Sequence, residues 1–361
     1  MNLIKQHDQK LLENKTAHLP WFVVQFIEHK LPERSPSSLL EYARDFELFF
    51  RWLIGEGLSH ASKVRDITLM ELEALTIEQI DSYKLFLQIK RQNGLSSRER
   101  KIASLKSLFH YLSQIAEDEQ HYPLLKRNVM AKLSSHRLLH PDLIATRLKG
   151  KILEDDEEIG AFIEYIMHGY LRDIQDNKQA LHYYQMNRIR DLAMIQLILS
   201  SGLRVSEIYN LNIEDIDMNK KLAHVYRKGV HDQTLKQGVF FAEAGKNSLH
   251  QYLTIRQQIY QPIRGEKALF LAIPRGQKQG KRMSKRAIQQ MVTKYAKAFG
   301  KPYLSVHKLR HSFATSYYAK NDIYKTQKQL GHSSTETTQI YAQLTDKTMA
   351  HAIEKYKYNE Q

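Results

Sequence analysis

The stretch "KLAHVYRKGVHDQTLKQGVFF", residues 221–241, breaks the rhythm of an otherwise helical chain. Apolar and polar residues alternate in it, and β-branched and aromatic residues are frequent. A period of two is the strand signal and Gly229 offers a turn, so the segment predicts a hairpin or small sheet. On both sides apolar residues return at three- and four-residue spacing, which gathers them on one face of a helix. The predicted fold class is therefore mainly α with a small antiparallel β-sheet.

Upstream, "MNRIRDLAMIQLILSSG" (186–202) predicts a helix stopped by Gly202, and "LRVSEIYNLN" (203–212) opens a short one. Downstream, helices are predicted in 284–300, 306–320, 322–331 and 334–344, with Ser333 and Glu336 as a capping box for the last. In the first half, Pro36 opens a helix whose apolar face is Leu39, Tyr42, Ala43, Phe46, Phe49, Phe50 and Leu53. Thr76 with Gln79, and Ser96 with Glu99, predict capping boxes for the next two helices. Pro141 and Gly150 then interrupt the pattern, and the acidic run from Glu154 to Glu158 suits the positive end of a new helix. The expected domains are a helical one over 1–150 and a mixed one over 151–361, with a linker near 136–151.

Charge points to the partner. The 361 residues carry 54 Lys+Arg against 39 Asp+Glu, a net charge of +15. Such an excess favours a polyanion, because each neutralised phosphate releases counterions. Arg98 and Lys101 lie on a basic helix face, and Lys281 and Arg282 in the basic run 275–286, so these four are expected DNA contacts. The chain has no cysteine, which excludes disulfides, thiolate nucleophiles and cysteine-ligated zinc. The first residues lack the apolar core of a signal peptide, and the most apolar run, 192–203, is too short to span a bilayer. A cytoplasmic protein is expected.

The richest chemistry is in "HKLRH", residues 307–311. His307 and His311 share one helical face at zinc-ligand spacing. A metalloprotease needs a glutamate after the first histidine, and here Lys308 stands there. A cation beside Arg310 fits an anion better than a metal. Paired guanidiniums can clamp the charge of a phosphodiester transition state and stay protonated while doing so. Without cysteine, the nucleophile is a serine, tyrosine, histidine or metal-bound water. A tyrosine would need nearby cations to favour its phenolate.

Four segments in order resemble the motifs of the tyrosine site-specific recombinases, the phage integrase family. "SGLRVSEIYNL" (201–211) is similar to their first arginine box, and "YRKGV" (226–230) to the turn that carries their sheet lysine. "HKLRHSFAT" (307–315) resembles their His-x-x-Arg-His box, and "LGHSSTETTQIYAQL" (330–344) their final box, with the tyrosine nine residues after the histidine. The resemblance implies a two-domain clamp on DNA, with a helical core-binding domain and a catalytic domain. It implies that Arg204 and Arg310 bind the scissile phosphate and that His307 contacts it and moves a proton. It further implies that His332 hydrogen-bonds the phosphate and that Tyr341 attacks phosphorus to give a 3′-phosphotyrosyl link. Lys228 would protonate the departing 5′ oxygen, with Arg227 and Lys236 as rivals for that role. Glu207 and His311 would support the site.

The resemblance also implies a specific inverted-repeat site in double-stranded DNA and a homotetramer on two paired sites. A tail helix around Met349, Ala350 and Ile353 would dock on the neighbouring protomer. No cofactor and no metal are expected: the covalent link conserves the phosphodiester's energy, and the chain has no G-x-x-x-x-G-K-[ST] loop. The compact build is most similar to the Xer type that works without a paralogue. Resolution of chromosome dimers at a dif-like site during cell division follows, with a division-linked DNA translocase as a possible partner. A mobile-element integrase and a type IB topoisomerase-like enzyme are the rival readings. The sequence departs from the family pattern at residue 227, where glycine is frequent and this chain has arginine, and at Asn321, another position often held by glycine.

Overall fold

The computed structural model describes residues 3–134, 141–227, 235–273, 280–332 and 335–344. The chain divides into two compact units, 1–138 and 139–361. The first is all helical: α1 (Leu3–Thr16), α2 (Trp21–Lys30), α3 (Pro36–Gly55), α4 (Leu69–Ala74), α5 (Ile77–Ile89) and α6 (Leu95–Gln114). Pro36 is at the first helical position of α3, and the Ser35 hydroxyl accepts from the Ser38 N–H. The expected stripe of α3 is its core face, with Phe46, Phe49, Phe50 and Leu53 all fully buried. Phe49 and Trp52 meet Tyr83 of α5 at ring-centroid distances of 5.0 Å.

The capping box of Thr76 and Gln79 forms at the start of α5. That of Ser96 and Glu99 does not: α6 starts at Leu95 with Gly94 as its cap. Gly94 is already extended, so the helix begins before Ser96 can take the cap position.

The second unit opens with α7 (Pro141–Leu148), followed by α8 (Asp156–Glu164), a π-helical turn over Tyr165–Gly169, and α9 (Tyr170–Asp173). The domain boundary expected at Gly150 is corrected here. Ala145 and Leu148 of α7 are buried with Ile152 and Ile340, so this helix is core of the second unit and not linker. Asp155 caps α8 by accepting from the Glu158 N–H, as the acidic run suggests.

The long α10 (Lys178–Ser201) runs through the core, with Ala193, Met194, Ile195, Leu197 and Ile198 fully buried. It stops at Gly202, whose φ of +71° is the left-handed geometry glycine tolerates. After α11 (Val205–Asn210), three strands form one antiparallel sheet in the order β1 (Ile216–Asp217), β2 (Leu222–Val225), β3 (Gln237–Phe240). The register pairs Ala223 with Val239, the two residues that face the core. The sheet expected from 221–241 is thus present, with β1 added from outside that stretch; the turn at Gly229 lies outside the described residues. The helices α12 (Glu243–Tyr260), α13 (Lys285–Ala298), α14 (Val306–Lys320), α15 (Ile323–Leu330) and α16 (Glu336–Leu344) complete the unit. Ser333 and the cap expected from it also lie outside the described residues. No helix among the described residues is long and apolar enough to cross a membrane.

Candidate active site

Four chain segments meet at one end of the second unit: the α10–α11 turn, the start of α14, the turn after α15, and α16. Gly202 lets the first turn approach closely. A Cβ added there would lie 2.5 Å from Phe313 and 2.9 Å from Leu330. Arg204, at the N-cap of α11, is then held by Glu207. Its backbone N–H donates to Glu207 Oε2 at 2.8 Å and its Nη1 to Oε1 at 2.9 Å. Glu207 is buried, so its carboxylate is balanced by that guanidinium.

Arg310 faces inward from α14 and is only 2% exposed. Its Nη1 donates to the Gly202 carbonyl and its Nη2 to the Leu330 carbonyl at 2.7 Å. Burial and the charge of Arg204 bring its pKa down to about 10, so it remains a cation at neutral pH. Arg204 Nη2 donates to the Gly331 carbonyl at 3.3 Å. A guanidinium has five N–H donors, so both arginines are oriented by the protein and keep donors for an anion.

His332 leaves the left-handed turn at Gly331, where φ is +63°. Its Nδ1 lies 3.0 Å from the hydroxyl of buried Thr338. Tyr341, one helical turn after Thr338, is 1% exposed. Its ring stacks near that of His332, with centroids 6.3 Å apart and planes 18° from parallel. Its hydroxyl is 3.0 Å from His311 Nδ1, and the His311 ring packs edge-on at 4.5 Å from His307.

Electrostatics follow from burial among cations. Burial, then Arg310 and Arg204, depress His332 to a pKa of about 3, and burial with His307 and Arg310 does the same to His311. Burial, Arg310 and Arg204 lower His307 as well. All three rings are neutral near pH 7, so His311 Nδ1 can accept a hydrogen bond from the Tyr341 hydroxyl. Burial raises Tyr341 to about 12, while Arg310 and Arg204 oppose the rise. In this state the phenol is stored neutral, and the two arginines are what would favour its phenolate.

The structure thus brings together Arg204, Glu207, His307, Arg310, His311, His332 and Tyr341. It does not describe Lys228. Of that residue's rivals, Lys236 pairs with the buried Asp215, and Arg227 is buried with both terminal nitrogens on backbone carbonyls. Two residues were not foreseen in these roles. Thr338 fixes His332 from a helical position that gives no local sign of it, and His311 touches the tyrosine hydroxyl directly. The second was hinted at by its face, shared with His307.

The expected DNA contacts divide. Lys281 is exposed. Arg282 is instead an internal clamp, donating from Nη1 to the Tyr209 and Leu211 carbonyls at 2.6 and 3.0 Å and from Nη2 to Asn212 at 2.6 Å. In the first unit, Lys101 lies 3.0 Å from Asp45, a carboxylate only 1% exposed that also takes two bonds from Arg100. Arg98 donates to Gln88. Three of the four cations thus have a partner within their own unit; for Lys101 and Arg282 it is a buried carboxylate or open backbone carbonyls, groups that are costly to leave unpaired. Among the described residues no group of three or more His, Asp or Glu gathers to hold a metal.

The model of the phage integrase family matches residues 172–348. A tyrosine recombinase XerS of Streptococcus pyogenes serotype M6 is 34% identical over 360 residues, covering 95% of this chain and 97% of the relative. That of serotype M5 gives the same figures. Among solved structures, a XerH site-specific recombinase bound to palindromic difH substrate aligns over 97% of both chains, with a TM-score of 0.61 and 17% identity. The Tn1549 transposon integrase in complex with transposon right-end DNA covers 93% of this chain and 98% of its own, with a TM-score of 0.59 and 15% identity. The XerS likeness runs through both units and the family model lies in the second, and the chain belongs to the phage integrase family of tyrosine recombinases, enzymes that break and rejoin DNA.

Proposed function

We propose that Tyr341 is the nucleophile of a site-specific recombination reaction on double-stranded DNA, and that the chain resolves chromosome dimers at a dif-like inverted-repeat site during segregation at cell division. The observation that carries this reading is the Tyr341 hydroxyl, stored beside His311 within the electrostatic reach of two arginines whose guanidiniums are held by backbone carbonyls. Arg204 and Arg310 take the non-bridging oxygens of the scissile phosphate. Tyr341 loses its proton with His307 as the proton-transfer partner and His311 holding the hydroxyl, and its oxygen attacks phosphorus as the bond to the 5′ oxygen breaks. Lys228 gives the departing oxygen its proton, and His332 donates to the phosphate. Religation to another 5′ hydroxyl reverses each step, with no ATP and no metal.

Exchange between two duplexes requires four such cleavages, hence a homotetramer on two paired sites, with the tail after Leu344 docking between protomers. The helical unit, with Lys281 from the second, supplies phosphate contacts. The protein acts in the cytoplasm, with a DNA translocase of cell division as regulator. The XerS relatives support a Xer-type recombinase, and the XerH complex supports a dif-type substrate by analogy.

The test is a duplex nicked beside the cleavage point, so that the 5′ fragment diffuses away and the covalent complex accumulates. Wild type should become linked to DNA. Tyr341→Phe should bind equally and form no link, and a link that persists in that variant would overturn the assignment.

A further inference from the structure

Arg227 stands where the family often has glycine, two residues past the end of β2, and it is 6% exposed. Its guanidinium reaches the far side of the site, with Nη1 on the Lys328 carbonyl at 3.1 Å and Nη2 on the Gln329 carbonyl at 2.5 Å. The next two carbonyls, of Leu330 and Gly331, are taken by Arg310 and Arg204. Three arginines from three separate segments therefore hold four consecutive carbonyls at the end of α15. Those carbonyls lie at the negative end of the helix dipole, where intrahelical donors run out; the Lys328 carbonyl also accepts from the Gly331 N–H at 3.2 Å.

The contact with the turn is close. A Cβ added to Gly331 would lie 2.4 Å from Arg227 Nη1, so the guanidinium rests on the glycine itself. His332 follows at once. Its N–H donates to the Gln327 carbonyl at 3.1 Å and its own carbonyl accepts from Gln327 Nε2 at 3.1 Å, so the backbone on both sides of its Cα belongs to the turn that Arg227 grips.

We infer that Arg227 is a positioning residue of the active site, fixing the 328–332 turn and through it the place of His332 and of the two phosphate-binding arginines. The inference rests on the recombinase reading above for its catalytic consequence, but its structural part does not. Without Arg227, the Gln329 carbonyl loses its guanidinium donor and Arg204 and Arg310 lose the fixed surface they are aimed from.

The test uses the full chain as wild type, Arg227→Ala and Arg227→Lys, with Tyr341→Phe as control. Amide hydrogen exchange over 327–332 reads the turn. Covalent linkage reads the site, on a nicked duplex whose sequence is chosen by wild-type binding from a random-sequence pool. In Arg227→Ala, exchange in the turn should rise about tenfold or more while α10 amides stay within about twofold. Linkage at saturating DNA should slow by about 10- to 100-fold with the apparent Kd within about threefold, since a turn displaced by about 1 Å misplaces the reacting groups. Arg227→Lys keeps one donor direction and should recover part of both losses. Linkage by Arg227→Ala within about twofold of wild type would overturn the inference, whatever the exchange data show. If wild type forms no Tyr341-dependent link but the turn still loosens in Arg227→Ala, the recombinase reading fails and the anchoring stands.

Discussion

Acidification from about pH 7.5 to about pH 5 should loosen the second unit, and His311 and His332 should carry much of the loss. Both rings have folded pKa values of about 3, set by burial and by neighbouring cations. In the unfolded chain each returns to about 6.5. A folded pKa below the unfolded one means that, between these values, the unfolded state binds a proton the folded state lacks. Stability therefore falls as pH drops below about 6.5 and keeps falling toward about 3. At pH 5 the lag of about 1.5 units corresponds to about 2 kcal/mol per ring. Both rings keep partial contact with solvent, so screening reduces this to about 1 kcal/mol each, about 2 kcal/mol for the pair. Against a net stability of about 5–15 kcal/mol this is a measurable fraction. His307 is shifted the same way and adds to the trend. Both tryptophans, Trp21 and Trp52, lie in the first unit, so their fluorescence is an internal control. The second unit is followed by amide exchange in α10 and α14. The loss between the two pH values should be about 2 kcal/mol smaller in a His311→Asn, His332→Asn double variant than in wild type. Equal losses in the two proteins would refute the assignment of the acid sensitivity to these rings.

Other outcomes follow from the same geometry. Gly202→Ala would press a Cβ against Phe313 and Leu330 at a φ of +71°; thermal unfolding should show a cost of about 1–3 kcal/mol, and DNA cleavage should fall because the Gly202 carbonyl orients Arg310. Asp45→Ala would leave Lys101 and Arg100 without their buried carboxylate; the unfolding free energy followed by tryptophan fluorescence should drop by about 2–3 kcal/mol, with Asp45→Asn between the two. Strong chelation should leave covalent linkage to a nicked duplex unchanged if, as proposed, paired guanidiniums hold the phosphate charge; loss of activity that added magnesium restores would contradict this.

The helices and the sheet were legible in the sequence because their signals are local. Period, proline at the first turn, the Thr76 cap and glycine at 202 each act within a few residues. The motif residues were legible for the same reason: Arg204, His307, Arg310, His332 and Tyr341 fall at short, fixed spacings inside their boxes. The boundary at Gly150 failed because a short helix with no strong cap reads like linker until its partner is known. That partner, Ile340, lies nearly two hundred positions away.

Spacing could not say which cations are available. Lys101 and Arg282 look alike on a basic face or run, yet one closes a buried ion pair 56 positions away and the other caps carbonyls some 70 positions away. The same holds for Arg227, which in sequence is a departure from a family pattern and in the structure is the third arginine on the turn of His332.

By itself, then, the sequence determined the fold class and the family, and it named residues that the fold brings together at one end of the second unit, since each rests on short-range order along the chain. Only the tertiary structure decided the resting state: Tyr341 buried and neutral against His311, two arginines aimed by carbonyls, a third holding the turn beneath them. Those facts depend on desolvation and on contacts between distant segments, and neither quantity exists until the chain has closed on itself.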